Sequence, residues 1–342
     1  MISYRNDLLE KSKKQTNYAF THQASVDLSL VTAPYVWDLN LNDIADNNFQ
    51  DMIRSYGEPD GNTQFIDTLA KHEGVNRDCI MLTPGADVAI EIVFKQFLGC
   101  GSNGGIVIPT FPRFEIVMSS LDKVAIHYFN SLTELDKNYN LVALSSPNNP
   151  TTGEMDGRLL EETIKKFDET VFCIDAVLGI YGNLDFNSLV DSYNNVIVLK
   201  SFSKLGLAGL RLGYVVSTPE IINYLKTGMS PFSVPNIVQM IGLSVLQQYD
   251  RVSIIHDLIS ESWRQIDSAF GNKAIRKSNV PFYLLNLNVP SATAVSLLKK
   301  ADISVVDGSY FRGLENNHIR IALGSKSDNE CLIKAVMDNN LI

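Results

Sequence analysis

The sequence predicts an α/β protein: a seven-stranded, mostly parallel sheet sandwiched by helices, with a smaller α+β domain assembled from both chain ends. Three observations carry this expectation. Seven short, β-rich apolar runs recur between residues 80 and 216. Amphipathic segments with helical spacing separate several of them. Before about residue 30 and after Pro235 the pattern changes. Runs that are apolar throughout and joined by helices indicate strands buried on both faces, the usual state of a parallel sheet.

Taken in order, residues 1–30 are polar, with Lys11, Lys13 and Lys14 in an expected helical arm. The seven strands fall at Ile80–Thr83, Gly105–Pro109, Ala125–Phe129, Leu141–Ser145, Val171–Asp175, Val196–Lys200 and Leu212–Val216. Helices are expected over Asp87–Phe97, where Val88, Ile92, Val93, Phe94 and Phe97 share a face, and over Arg158–Phe167. After Pro235 one long helical stretch runs to about Phe270. Strand-like Phe282–Leu287, a helix near Ala292–Lys300, strands at Ile303–Val306 and His318–Ala322, and a helix near Asp328–Met337 complete the chain. The expected division is a large domain over 31–235 and a small one from 1–30 with 236–342.

Composition excludes several function classes. The 342 residues are 45% hydrophobic and 20% charged, as in ordinary globular proteins. The net charge of −9, without a Lys/Arg-dense stretch, suits neither nucleic acid nor an anionic membrane. The apolar runs are too short to span a bilayer, and the N-terminus has no apolar signal core. Cys79, Cys100, Cys173 and Cys331 are isolated, with no CxxC and no His at metal-ligand spacing. No metal is expected, and the expected location is the cytoplasm. Gly99-Cys-Gly-Ser-Asn-Gly104 matches GxGxxG, but a helix precedes it and a strand follows, the reverse of a dinucleotide fingerprint. It reads as a helix cap and turn.

Chemistry concentrates at strand ends. Ser201-Phe-Ser-Lys204-Leu-Gly-Leu-Ala-Gly-Leu-Arg211 places a lysine directly after a buried strand, among small residues that allow close approach of a ligand. Burying an ammonium is costly, and such a lysine can serve as an amine nucleophile toward a carbonyl; a solvated charge is the alternative. Arg211 offers a fork for an anion. Thr83-Pro-Gly-Ala-Asp87 runs from strand into helix, which makes either an anion site or an ordinary Asp N-cap. Ser145-Ser-Pro-Asn-Asn149-Pro-Thr-Thr-Gly153 follows another strand, and Asp175 ends a very apolar one. Asp175 is either a satisfied structural acid or a site residue. Four polar groups at strand ends on one side of one sheet suit a ligand site, because sheet ligands bind at carboxyl ends.

Together with Tyr56-Gly-Glu-Pro-Asp-Gly61 and His318-Ile-Arg320-Ile-Ala-Leu-Gly324, these motifs resemble the fold type I, pyridoxal-phosphate-dependent aminotransferases of class I/II, most closely the histidinol-phosphate aminotransferase branch. The resemblance implies an aspartate aminotransferase-like fold, pyridoxal 5'-phosphate as cofactor, a homodimer, and amino-acid and 2-oxo-acid substrates. It implies that Lys204 forms the Schiff base and moves the substrate proton, and that Asp175 pairs with the pyridinium nitrogen. Asn149 would donate to the phenolic oxygen. Gly85, Ala86, Asp87, Ser201 and Arg211 would bind or orient the phosphate. Phe111 would lie against the pyridine face, although alone it reads as a core residue. Tyr56 would reach the partner subunit's phosphate, and Arg320 would hold the substrate α-carboxylate.

Four departures from the family pattern stand out. Leu178 replaces a tyrosine three residues after the Asp, and Tyr181 lies three positions further on. The Lys204–Arg211 spacing is seven rather than eight. An early Asn-Glu-Asn-Pro segment is blurred to Leu41-Asn-Asp-Ile-Ala45. Val306 replaces an arginine that helps read an acidic or phosphorylated side chain. Arg113 and Arg312 lie in segments that could face the substrate, with surface charges as the alternative. The leading expectation is a ping-pong aminotransferase. A decarboxylase resembling the threonine-phosphate decarboxylases, suggested by Asp307-Gly-Ser-Tyr-Phe-Arg-Gly-Leu314, another lyase or oxidase, and a non-enzymatic cofactor-binding homologue are the alternatives.

Overall fold

A computed structural model describes residues 24–33, 37, 39 and 49–342. The expected N-terminal arm with Lys11, Lys13 and Lys14, and the segment Leu41–Ala45, lie outside the described residues.

After a short strand β1 (Val26–Asp27), the chain lays down β2 (Ile80–Thr83), β3 (Asn103–Val107), β4 (Ala125–Phe129), β5 (Leu141–Ser145), β6 (Val171–Asp175), β7 (Val196–Ser201) and β8 (Gly213–Ser217). The last seven form one sheet in the order β2-β8-β7-β6-β5-β3-β4. Only β8 runs against its neighbours β2 and β7; the other pairings are parallel. The carboxyl ends of β2, β5, β6 and β7 therefore share one edge.

Alternation explains why these runs look uniformly apolar. Phe172 and Ile174 of β6 enter one core cluster, while Cys173 enters the cluster on the opposite face, under the helices Ala86–Phe97 and Arg113–Ser120. Val196 and Val198 divide from Ile197 and Leu199 in the same way along β7. Each residue is fully buried on its own side, at about 1.5–3 kcal/mol for a side chain of this size.

The C-terminal part carries β9 (Ala274–Ile275), β10 (Phe282–Asn286), β11 (Ile303–Ser304), β12 (Val306–Asp307) and β13 (His318–Ala322). An antiparallel sheet has the order β12-β13-β10-β9, and β1 pairs with β11 in parallel. Leu28 extends that pairing: its N–H donates to Ser304 O at 2.8 Å, and its carbonyl accepts from Ala322 N at 2.9 Å. Residues 25–29 are thus fastened to the C-terminal part, across nearly the whole sequence.

Three expectations need correction. The stretch after Pro235 is two helices, Asn236–Gln247 and Val252–Phe270, because polar Gln247–Asp250 interrupts the apolar stripe and forms a 3₁₀ turn at Tyr249–Arg251. Ile303–Val306 is not one strand. Its first residues pair with β1 and its end joins β12, so Val305 marks a change of sheet. Strand β3 starts at Asn103 rather than Gly105, since Asn103 and Gly104 already pair with Ala125 and Ile126. Among the described residues, no helix is long and apolar enough to cross a membrane.

Candidate active site

At the carboxyl edge of the seven-stranded sheet lies a cavity of about 570 Å³. It receives Lys204, Asp175, Asn149, Ser201 and Arg211 from strand ends and the turns after them, and Arg320 from β13. Ala86, Asp87 and Phe111 also line it.

Lys204 sits in a 3₁₀ turn, Phe202–Leu205, directly after β7. Ser201 caps this turn, its Oγ accepting from Ser203 N at 3.1 Å, and Gly206 (φ 83°) ends it in the left-handed region. The hydroxyl of Tyr181 donates to Lys204 O at 2.5 Å, and Trp37 Nε1 donates to Leu205 O at 2.6 Å. The main chain beneath the lysine is thereby held on both sides. Lys204 Nζ donates to Val31 O at 2.9 Å. Burial pushes its ammonium down to about 8, and the cations Arg320 and Arg211 act in the same direction against the attraction of Asp175.

Asp175 is the last residue of β6 and 8% exposed. Burial raises its carboxyl to about 6, opposed by the Val177 N–H at 3.0 Å and by Lys204. A buried acid and a buried amine, each shifted toward neutrality, thus face one cavity. Perturbed pairs of this kind mark functional sites.

The anion cradle is built from backbone. Gly85, not Asp87, is the N-cap of helix Ala86–Phe97, with φ 81°; this corrects the reading of Asp87 as the cap. Asp87 stands in the first turn, where its carboxylate accepts from Arg113 Nε at 2.7 Å instead. A Cβ on Gly85 would lie 2.8 Å from Arg211 Nη2, so the guanidinium rests on the bare glycine. A Cβ on Gly213 would meet Gly85 C at 2.6 Å, which keeps strand and turn in close approach. Despite the seven-residue spacing, a second 3₁₀ turn at Ala208–Leu210 brings Arg211 to the cavity.

Arg320 is 3% exposed, so its guanidinium is held inside the protein and not at the surface. Its Nη1 donates to Asn149 Oδ1 at 3.5 Å, its Nη2 donates to Ser29 O, and its guanidinium lies 5.7 Å from the Phe282 ring. Phe111 lines the cavity with its ring edge-on to Phe114. Tyr56 is not brought in by its own chain: it is 83% exposed and packs on Phe232.

The departures also find their places. Leu178 lines the cavity, whereas Tyr181 lies below Lys204 with its hydroxyl engaged there, so it does not take the missing tyrosine's position. Val306 is buried and cross-strand from Arg320. Arg312 pairs with Glu115 at 2.7 and 2.9 Å outside the cavity lining. Arg113 does line it and is not a surface charge. Sequence reasoning missed the segment Ser29–Thr32, which crosses the cavity and supplies Val31 O and Ser29 O. The only signal was a brief apolar run, Leu28-Ser-Leu-Val, inside a polar flank.

The donor set suits a phosphorylated pyridoxal: an amine for its aldehyde, a buried carboxyl for its ring nitrogen, and a glycine-floored helix N-terminus beside Arg211 for its phosphate. Comparison with known proteins agrees. Residues 36–336 match the model of the family aminotransferase class I and II, and the chain belongs to that family. It is a pyridoxal-phosphate-dependent aminotransferase of fold type I, similar to the histidinol-phosphate aminotransferases. One relative is the histidinol-phosphate aminotransferase of Methanocaldococcus jannaschii, 29% identical over 83% of this chain and 81% of that protein. The fold matches the histidinol-phosphate aminotransferase of Sinorhizobium meliloti in complex with pyridoxal-5'-phosphate (TM-score 0.81, 18% identity, 99% of this chain and 98% of that one). It also matches the L-threonine-O-3-phosphate decarboxylase of Porphyromonas gingivalis (TM-score 0.76, 24% identity, 91% and 99%).

Proposed function

We propose that this chain moves an amino group from an amino acid to a 2-oxo acid in two half-reactions, with Lys204, Asp175 and Arg320 in the central roles. The convergence of a buried amine, a buried carboxyl and a buried guanidinium on one cavity carries the reading. When bound, pyridoxal phosphate supplies the electron sink that acidifies the substrate Cα–H. Lys204, its ammonium lowered to about 8 by burial, would take up the cofactor's aldehyde through its neutral amine with loss of water and, once the substrate's amino group displaces it, would move the proton from substrate Cα. Asp175, buried and acceptor-only once ionised, keeps a proton on the ring nitrogen. Arg320 fixes the α-carboxylate with its fork and so aims the labile Cα bond. Asn149 would hold the phenolic oxygen, Phe111 would cover the ring, and the phosphate would be held by Ser201, Arg211 and the main-chain groups of Gly85, Ala86 and Asp87 at the helix N-terminus, the Asp87 carboxylate being turned to Arg113.

The proposal extends to assembly and organisation. A homodimer would give the exposed Tyr56 a phosphate to reach in the partner subunit. Separate seven- and four-stranded sheets support the division into 31–235 and 1–30 with 236–342. Four free cysteines support residence in the cytoplasm. Several relatives are named for histidinol phosphate, but Val306 adds no cation beside Arg320, so an amino acid with an α-carboxylate is the proposed donor class.

A panel of amino acids, each mixed with the loaded protein without an acceptor, tests this. Transfer predicts loss of the visible absorbance of the lysine-linked cofactor, then its return when a 2-oxo acid is added. Carbon dioxide release with no need for a 2-oxo acid would instead establish the decarboxylase reading.

A further inference from the structure

Arg113 has no role in the scheme above, yet its side chain is only 13% exposed and lines the cavity. It is the first residue of helix Arg113–Ser120, where the dipole disfavours a cation. Stability of its own helix therefore does not explain it. Its guanidinium forks across two carboxylates of the neighbouring helix: Nε donates to Asp87 Oδ1 at 2.7 Å, and Nη2 donates to Glu91 Oε1. Asp87 stands in the first turn of that helix and lines the same cavity. A carboxylate at a cradle meant for a phosphate is a like charge at close range, where Coulomb repulsion is strong in a partly buried site.

We infer that Arg113 sets the charge of the phosphate cradle: by binding Asp87 and Glu91 it lets this helix N-terminus accept a phosphate despite a carboxylate in its first turn. With Arg113 in place both carboxylates are paired, Glu91 by Lys95 as well at 2.9 Å. Without it Glu91 keeps Lys95, but Asp87 loses its partner and faces the dianion as a bare charge. Arg113 acts through Asp87 and is a positioning residue, not a catalytic one.

The inference rests on the pyridoxal-phosphate reading of the cavity. Equilibrium binding of pyridoxal 5'-phosphate and of pyridoxal, followed by absorbance at fixed ionic strength, tests both. Arg113→Gln should weaken pyridoxal 5'-phosphate on the order of tenfold and leave pyridoxal nearly unchanged, because only the phosphate meets the uncompensated charge. The double variant Arg113→Gln with Asp87→Asn should recover most of the loss, and Arg113→Lys should lie between. Equal weakening of both ligands, or no recovery in the double variant, would mean Arg113 is merely a strut and overturns the inference. Asp87→Asn alone keeps the test if Arg113→Gln does not fold: it should bind the phosphorylated ligand as tightly as the unaltered protein or more so. A tenfold loss there would show that the Asp87 carboxylate aids binding, and the inference would fail. If the unaltered protein binds neither ligand, the reading of the cavity itself falls first.

Discussion

Lys204 and Asp175 are ionisable groups placed where burial drives each toward its neutral form, and both placements leave a signature in pH. Lys204 sits near 8 instead of 10.5, so the folded chain holds fewer protons than the unfolded one between those values. Its burial penalty is fully present below pH 8 and fades as pH rises toward 10.5. Capture of the cofactor's aldehyde by the unloaded protein should therefore accelerate through about pH 8 and level off above it, as followed by stopped-flow absorbance. A rise centred near 10.5 would mean that the amine is solvated. Asp175 has the opposite sign: near 6 instead of 3.8, it holds an extra proton when folded, so stability drops as pH rises through that window. Asp175→Asn should thus stabilise the unloaded protein above pH 6, by up to about 3 kcal/mol, while lowering turnover. Denaturant melts at pH 5 and 7.5 check this. Asp175 was legible in the sequence because a charged residue ending an apolar run is conspicuous, and Lys204 because it stands among small residues just after one. Arg113 could be placed near the substrate from its segment, but nothing local announces that its partners are Asp87 and Glu91.

At the scale of elements, strands and turns do the positioning, and the glycines at the cradle are where backbone alone decides. Gly85→Ala would force a Cβ toward Arg211 at φ 81°, so it should cost about 1–3 kcal/mol of stability and weaken the cofactor. Calorimetry and cofactor titration would report both. An unchanged melting temperature together with unchanged affinity would contradict the described turn. The central strands β5, β6 and β7 could be read directly, because burial on both faces makes their residues apolar up to the polar groups at their carboxyl ends. The flanks could not. Ile303–Val306 looks like one strand although its two halves pair with different partners. The segment Leu28–Thr32 gains its structure from Ser304, Ala322, Lys204 and Arg320, hundreds of positions away. Long-range hydrogen bonds of this sort leave no periodic trace.

On the scale of the whole molecule, a sheet edge supplies the cofactor groups while both chain ends, joined through β1 and β11, supply the substrate-side groups Ser29–Thr32 and Arg320. A homodimer would complete the phosphate cradle through Tyr56. Mixing inactive Lys204→Ala with impaired Tyr56→Ala protein under conditions of subunit exchange should then raise the activity above that of either alone, because every mixed dimer carries one intact site. Lys204→Ala alone should lose at least about a thousandfold in turnover, having lost both nucleophile and proton carrier. The most direct test of the account is where the cofactor attaches. Pyridoxal 5'-phosphate is added to the protein, the linkage is trapped by borohydride reduction, and the digested chain is mapped by mass. The account predicts one pyridoxyl mass on the peptide carrying Lys204 and none in Lys204→Ala. A label confined to other lysines, or no label at all, would contradict it.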